Sequence, residues 1–385
     1  MSKVDEQYVV SLASKLVRIN SENPPGREAE VASFVAERIS ELGFKAVVDK
    51  FGERANALGF LKLSEGARIL LLTHLDTVPA GDRSLWTVPP FEGIIREGRL
   101  YGRGAADAKG AIASMLGGLK ILMDSGVGLR GEIIFAAVAD GEAGSEGVKR
   151  LLSRGLRADY AVVGEPTRLQ VCLAHRGRLV LSVTFIGKAA HAGDPSMGVN
   201  PLYPAAKLLL NLGRLSEKLS RSVHPLLGST TMSPTIVRGG LKDNVIPESV
   251  ELVIDCRTLP GRSPRTITTE LEKLVKGLAE ESRVDYRVRI VRWIPPAETS
   301  GDSKIVLAAV KSVEEVLGVK GEVAGFRAAS DMSFLVNEAG VDSIIFGPGS
   351  LEQAHAVDEW VSVSDLVNAA KIYAAIIRRI LSEDF

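Results

Sequence analysis

Five histidines, His74, His175, His191, His224 and His355, are the whole imidazole supply of this 385-residue chain. Two of them keep company with carboxylates at the ends of apolar runs. His74 and Asp76 follow RILLLT (68–73), Asp140 and Glu142 follow EIIFAAV (132–138), and Glu165 follows DYAVV (159–163). His355 follows SIIFGPG (343–349), and Asp107 sits in the glycine-rich loop GRGAADAKG (102–110), just ahead of a helix-like stretch. Carboxylates gathered on one edge repel one another unless a cation neutralises them. Two imidazoles and three carboxylates suit a pair of divalent ions, zinc most naturally, with cobalt or manganese as alternatives. One bridging carboxylate plus two ligands per metal requires a set of this size. Asp76, two residues beyond His74, lies on the same side of an extended strand and can accept the second ring N–H, fixing the tautomer. A single carboxylate at a strand end is commonly a cap or a solvated loop residue. Their joint occurrence on one edge is what carries the inference.

The elements that must position these residues read as an interrupted α/β domain. Helical spacing over 8–19, 27–42 and 110–123 alternates with the apolar runs at 68–73, 132–138 and 159–163, the pattern of a sheet covered on both faces. In such sheets, sites form in the crevice at the carboxyl ends of the strands. The character changes after residue 176. A half-solvated strand at 178–186 is followed by a helix at 200–219, strands at 231–238 and 249–256, a helix at 264–281 and a strand at 284–292. That β-α-β-β-α-β order is ferredoxin-like. The α/β pattern then resumes with a helix at 303–317, a strand at 342–346 and a helix at 364–382. The expected division is 1–175 and 293–385 for the catalytic α/β domain, with 176–292 as an inserted α+β domain.

Composition excludes several classes. Lys+Arg and Asp+Glu are 47 each, so no positive surplus exists for nucleic acid or an anionic membrane surface. Cys172 and Cys256 are too few for a disulfide framework or a thiolate zinc site, and are expected as buried thiols. No stretch approaches a membrane span, and MSKVDEQYVV lacks the pattern of a secretory signal, so the expected location is cytoplasmic.

The chain resembles the dinuclear zinc metallohydrolases that include acetylornithine deacetylase, succinyl-diaminopimelate desuccinylase, aminoacylase and glutamate carboxypeptidase. The resemblance runs nearly end to end through THLDTVPAGD (73–82), WTVPPF (86–91), YGRGAADAKG (101–110), VGEPT (163–167), HRGRLVLSVTFIGKAAHAGDPSMGVN (175–200), NVIPESVELVIDCR (244–257) and AHAVDEW (354–360). It implies a zinc-aminopeptidase-like catalytic domain with an inserted ferredoxin-like dimerisation domain, and a homodimer. It implies His74, Asp107, Glu142, Glu165 and His355 as metal ligands, Asp107 bridging, and Asp76 orienting His74. It implies that His191 crosses the dimer interface to stabilise an oxyanion, and that Asn244 and Arg257 hold the substrate's carboxylate. His175 and His224 are read as structural.

Two departures stand out. The family's metal-ligand glutamate normally follows a second glutamate, its general base, whereas this chain reads Asp140-Gly141-Glu142. Losing a general base typically costs ~10²–10⁴-fold in rate. The nearby Glu146 and Glu352 are candidates to replace it. In the substrate loop, Ala328-Ala329-Ser330-Asp331 stands where relatives often carry Gly-Gly-Thr-Ser-Asp. The expected activity is hydrolysis of the amide bond of an N-acyl amino acid or small peptide bearing a free carboxylate, by a water bridging two divalent metals. The alternative is an impaired or inactive member that binds metal and an acylated amino acid.

Overall fold

The computed structural model describes residues 5–382; the first four residues of the N-terminal stretch considered for a targeting signal lie outside it. The chain divides into two compact units. One comprises the chain up to Leu173 with Glu298–Phe326 and the segment from Ser330 onward; the other comprises Ala174–Ala297 with Arg327–Ala329.

The first unit is built on a nine-stranded mixed sheet. At its centre the strands Glu132–Val138, Arg68–His74, Tyr160–Val163 and Asp342–Ile345 run parallel in that spatial order. These are the continuous apolar runs of the sequence, and they are buried on both faces. The helix Gly110–Ser125, apolar nearly all round, packs against Val363–Leu381; at Gly118 a Cβ would lie 2.8 Å from the Ala370 carbonyl oxygen. An antiparallel pair, Lys45–Phe51 and Arg54–Lys62, extends one edge and joins the parallel core through Glu132–Val138. Because the core strands are parallel, their carboxyl ends share one edge, where His74, Asp140, Glu142 and Glu165 emerge.

The second unit has the β-α-β-β-α-β order expected. Its four strands form an antiparallel sheet ordered Thr231–Gly239, Ser249–Thr258, Gly177–Ile186, Asp285–Ile294, the ferredoxin-like arrangement. The helices Leu202–Ser220 and Pro264–Ser282 place Leu208, Leu212, Leu215, Leu271 and Val275 against Leu181, Val183, Phe185, Leu252 and Ile254. Pro264 at the first helical position and the Ser263 side chain, which accepts from the Arg265 N–H, start the second helix as helix chemistry predicts. Cys172 and Cys256 are buried and unbonded, and burial pushes both thiols up to about 12. Among the described residues, no helix is long and apolar enough to cross a membrane.

Candidate metal centre

His74 closes the strand Arg68–His74. Its Nδ1 lies 2.9 Å from the backbone carbonyl of Asp76, so Nδ1–H donates there and Nε2 faces the carboxylate cluster. The nearer oxygen of the Asp76 carboxylate, the partner expected for this ring, stands 3.6 Å from Nδ1. That carboxylate also reaches the next strand-end loop, accepting from Gly141 N–H at 2.8 Å and Glu142 N–H at 3.1 Å.

Asp107 sits in the tight turn Ala105–Lys109, entered through Gly104 at φ +85°, a left-handed conformation that favours glycine. The turn is pinned by Glu359, whose carboxylate accepts from Ala106 N–H at 2.9 Å and Asp107 N–H at 3.0 Å. Arg103, itself buried, donates to Glu359 at 2.6 Å and reaches the His355 carbonyl at 3.4 Å. One ion pair thus ties the Asp107 turn to the His355 loop.

The Asp107 carboxylate faces both imidazoles. Its Oδ1 is 3.1 Å from His74 Nε2 and its Oδ2 is 3.3 Å from His355 Nε2. Glu165 adjoins the His74 side at 3.9 Å, and Glu142 the His355 side at 3.0 Å. Ligand atoms of His74, Asp107 and Glu142 all lie within 4.8 Å of one another. All five residues that the resemblance implies as ligands therefore meet in one cluster.

Charge in this cluster is strongly coupled. Hydrogen bonds that its ring donates to Asp107 and then to Glu142 push His355 up to about 10. Burial works against a charged His74, yet its bonds to Asp107 and proximity to Asp76 and Glu165 hold it well above its usual value. Burial would raise Asp107, but the two imidazoles overcome it and hold the carboxyl well below the usual range. Glu142 and Glu165 are raised, first by burial and then by the charge of Asp107. Three clustered carboxylates and two imidazoles form a donor set that divalent metal fits well.

Gly141 is not an open gap. A Cβ built there would lie 2.5 Å from His74 Cβ and 2.7 Å from Cγ, so the imidazole fills the space a side chain would need. Glu146 sits 4.0 Å from Arg54, and Glu352 is ion-paired to Arg168.

In the second unit, His191 and Asn244 come together. His191 pairs with Val245 in a two-stranded ribbon, its Nδ1 accepts from Gly193 N–H at 3.0 Å, and the Asn244 carbonyl accepts from Ala192 N–H. Arg257 lies at the other end of Ser249–Thr258, opposite Arg178, and both guanidiniums grip Asp255 at 2.8 Å. His224 accepts from the Leu226 and Leu227 N–H groups, and His175 is fully buried.

Residues that the sequence reading left without a role also shape the centre: Asn23, Arg54, Arg103 and Glu359. Arg103 and Glu359 lie inside stretches that resemble the family. Asn23 carried only the turn signal of Asn-Pro-Pro-Gly.

An imidazole and carboxylate cluster at the carboxyl edge of the parallel core of a mixed sheet, with a ferredoxin-like insertion, is the layout of a metallopeptidase-type hydrolase. The sequence profile of Peptidase family M20/M25/M40 matches residues 70–379, and the chain belongs to that family. It is 31% identical over 351 residues to an acetylornithine deacetylase of Myxococcus xanthus, covering 88% of each chain. Its fold is similar to that of a tripeptidase of Staphylococcus aureus, with a TM-score of 0.83 at 24% identity over 98% of this chain and 99% of that one. It is also similar in fold to a dinuclear metal binding peptidase of the M20 family from Bacillus subtilis, with a TM-score of 0.75 at 15% identity over 98% of each. The chain is thus an M20-family member of metallopeptidase and amidohydrolase type.

Proposed function

We propose that this chain hydrolyses the amide bond of an N-acyl amino acid or small peptide bearing a free carboxylate. The observation that carries the reading is Asp107, with one carboxylate oxygen turned to each imidazole. In this reading His74 and Glu165 hold one divalent ion, His355 and Glu142 hold a second, and Asp107 is shared. Zinc best matches the donors, with cobalt and manganese as alternatives. Bound there, such ions would polarise a scissile carbonyl and lower the pKa of a water towards ~7. Asp76 positions Glu142 by holding the backbone of its loop. Arg257 offers its remaining guanidinium N–H groups to a substrate carboxylate, with Asn244 in the same role, and His191 offers a ring N–H to an oxyanion.

A homodimer is part of the proposal. His191 and Asn244 lie beyond the Ser249 end of a strand whose far end carries Arg257. Eight residue steps at ~3.3 Å separate those ends by about 26 Å, more than one small substrate spans. A second copy that supplies His191 and Asn244 removes that mismatch. Mixing a His191→Ala protein with a His74→Ala protein is expected to recover activity that neither has alone.

The hydrolase reading is tested by loading the chain with zinc or cobalt and measuring free amine released from acetylornithine, succinyl-diaminopimelate and simple dipeptides. Turnover that chelation abolishes supports it; no turnover across all three classes overturns it. Gly141 favours a second reading, in which the chain binds metal and an acylated amino acid without cleaving it. Calorimetric binding with ligand recovered intact supports that reading, and recovery of products rejects it.

A further inference from the structure

We propose that Asn23 is a positioning residue for the metal centre, its one amide nitrogen joining the carboxylates of Asp76 and Asp140 so that the loop bearing Glu142 is held in place. This rests on the reading of Glu142 and its neighbours as metal ligands. Asn23 Nδ2 lies 2.8 Å from Asp76 Oδ2 and 2.8 Å from Asp140 Oδ1. Both carboxylates are buried, at 0% and 3% exposure, and side by side they repel unless something donates to both. An amide NH₂ has two hydrogens and uses both here.

The rest of the residue is equally engaged. Its side-chain oxygen accepts from Arg54 at 3.2 Å, and the same guanidinium group contacts Asp140 at 3.0 Å. Its backbone N–H donates to the Thr77 carbonyl at 2.8 Å, so Asn23 is anchored to the segment that carries Asp76. From this node two loops are organised. Asp76 holds Gly141 N–H and Glu142 N–H, while Asp140 holds Gly144 N–H at 2.8 Å and Glu146 N–H at 3.3 Å. A turn at Asn-Pro-Pro-Gly needs no side-chain amide; cross-linking two carboxylates does.

The test measures zinc affinity by chelator competition, and the visible spectrum of the Co²⁺-loaded protein, for wild type, Asn23→Ala and Asn23→Asp. Melting of the metal-free proteins reports folding separately. Both variants are expected to bind zinc about 10–100-fold more weakly and to show altered cobalt bands. Asn23→Asp has the outline of asparagine and carries the test if Asn23→Ala does not fold. It adds a negative charge near a dication site, so Coulomb attraction alone would tighten binding. Tighter or unchanged binding in Asn23→Asp overturns the proposal while leaving the metal centre intact. A wild-type protein that binds no zinc overturns the metal-centre reading and the proposal with it.

Discussion

Gly141→Ala is the sharpest perturbation of the centre. The added Cβ would stand 2.5 Å from His74 Cβ, where carbon atoms normally rest ~3.5–4.0 Å apart, so about 1 Å of movement is required. Neither side yields freely. His74 is paired with Val138 in the parallel ladder, and its ring is fixed by the 2.9 Å bond to the Asp76 carbonyl. Gly141 is held by the 2.8 Å bond from its N–H to the Asp76 carboxylate. Relief therefore breaks one of these bonds or shifts a ligand. Overpacking of this kind costs ~1–3 kcal/mol, and disturbed ligand support costs ~10–100-fold in metal affinity. Chelator competition and thermal melting of the metal-free protein measure the two effects. Gly141→Glu carries the same first carbon, so it is expected to lose zinc affinity without gaining turnover. Wild-type zinc affinity and melting in Gly141→Ala, or a Gly141→Glu protein that binds zinc normally and turns over faster, would refute the reasoning.

Other outcomes follow from the same structure. Burial lowers His175 to about 4 from 6.5, so its contribution is complete above pH 6.5 and lost as the pH falls towards 4, about 3 kcal/mol in all. Unfolding measured across that range should show the loss, and His175→Asn should flatten it. Arg103→Met leaves the buried Glu359 carboxylate without its cation and should destabilise by ~3–5 kcal/mol in urea unfolding. Zinc at ~100 times its dissociation constant should stabilise the metal-free protein by about 2.7 kcal/mol, seen as a rise in Tm, and His355→Ala should diminish that rise.

Much of this arrangement was legible in the residues. The runs RILLLT, EIIFAAV and DYAVV are largely apolar because parallel strands are buried on both faces, and the candidate ligands follow them because sites form where such strands end. The edge pair Lys45–Phe51 and Arg54–Lys62 was not legible: the first strand alternates exposed and half-buried positions and has no continuous apolar signature. The supports were hidden by distance along the chain. Asn23 reaches Asp140 across 117 positions, and Glu359 reaches the Asp107 turn across 252. No local periodicity encodes such pairings. The 2.9 Å bond from the His74 ring to the Asp76 carbonyl is equally invisible to spacing, because carbonyl and carboxylate belong to the same residue.

The two halves of the cluster are unequally sheltered. The His74 side chain is 7% exposed, whereas that of His355 is 51% exposed, on a loop residue with φ +63°. A divalent ion held by His74 would be more sheltered from water than one held by His355. On the proposed two-ion reading, occupancy at the His355 position is therefore expected to follow the surrounding metal supply more quickly than occupancy at the His74 position.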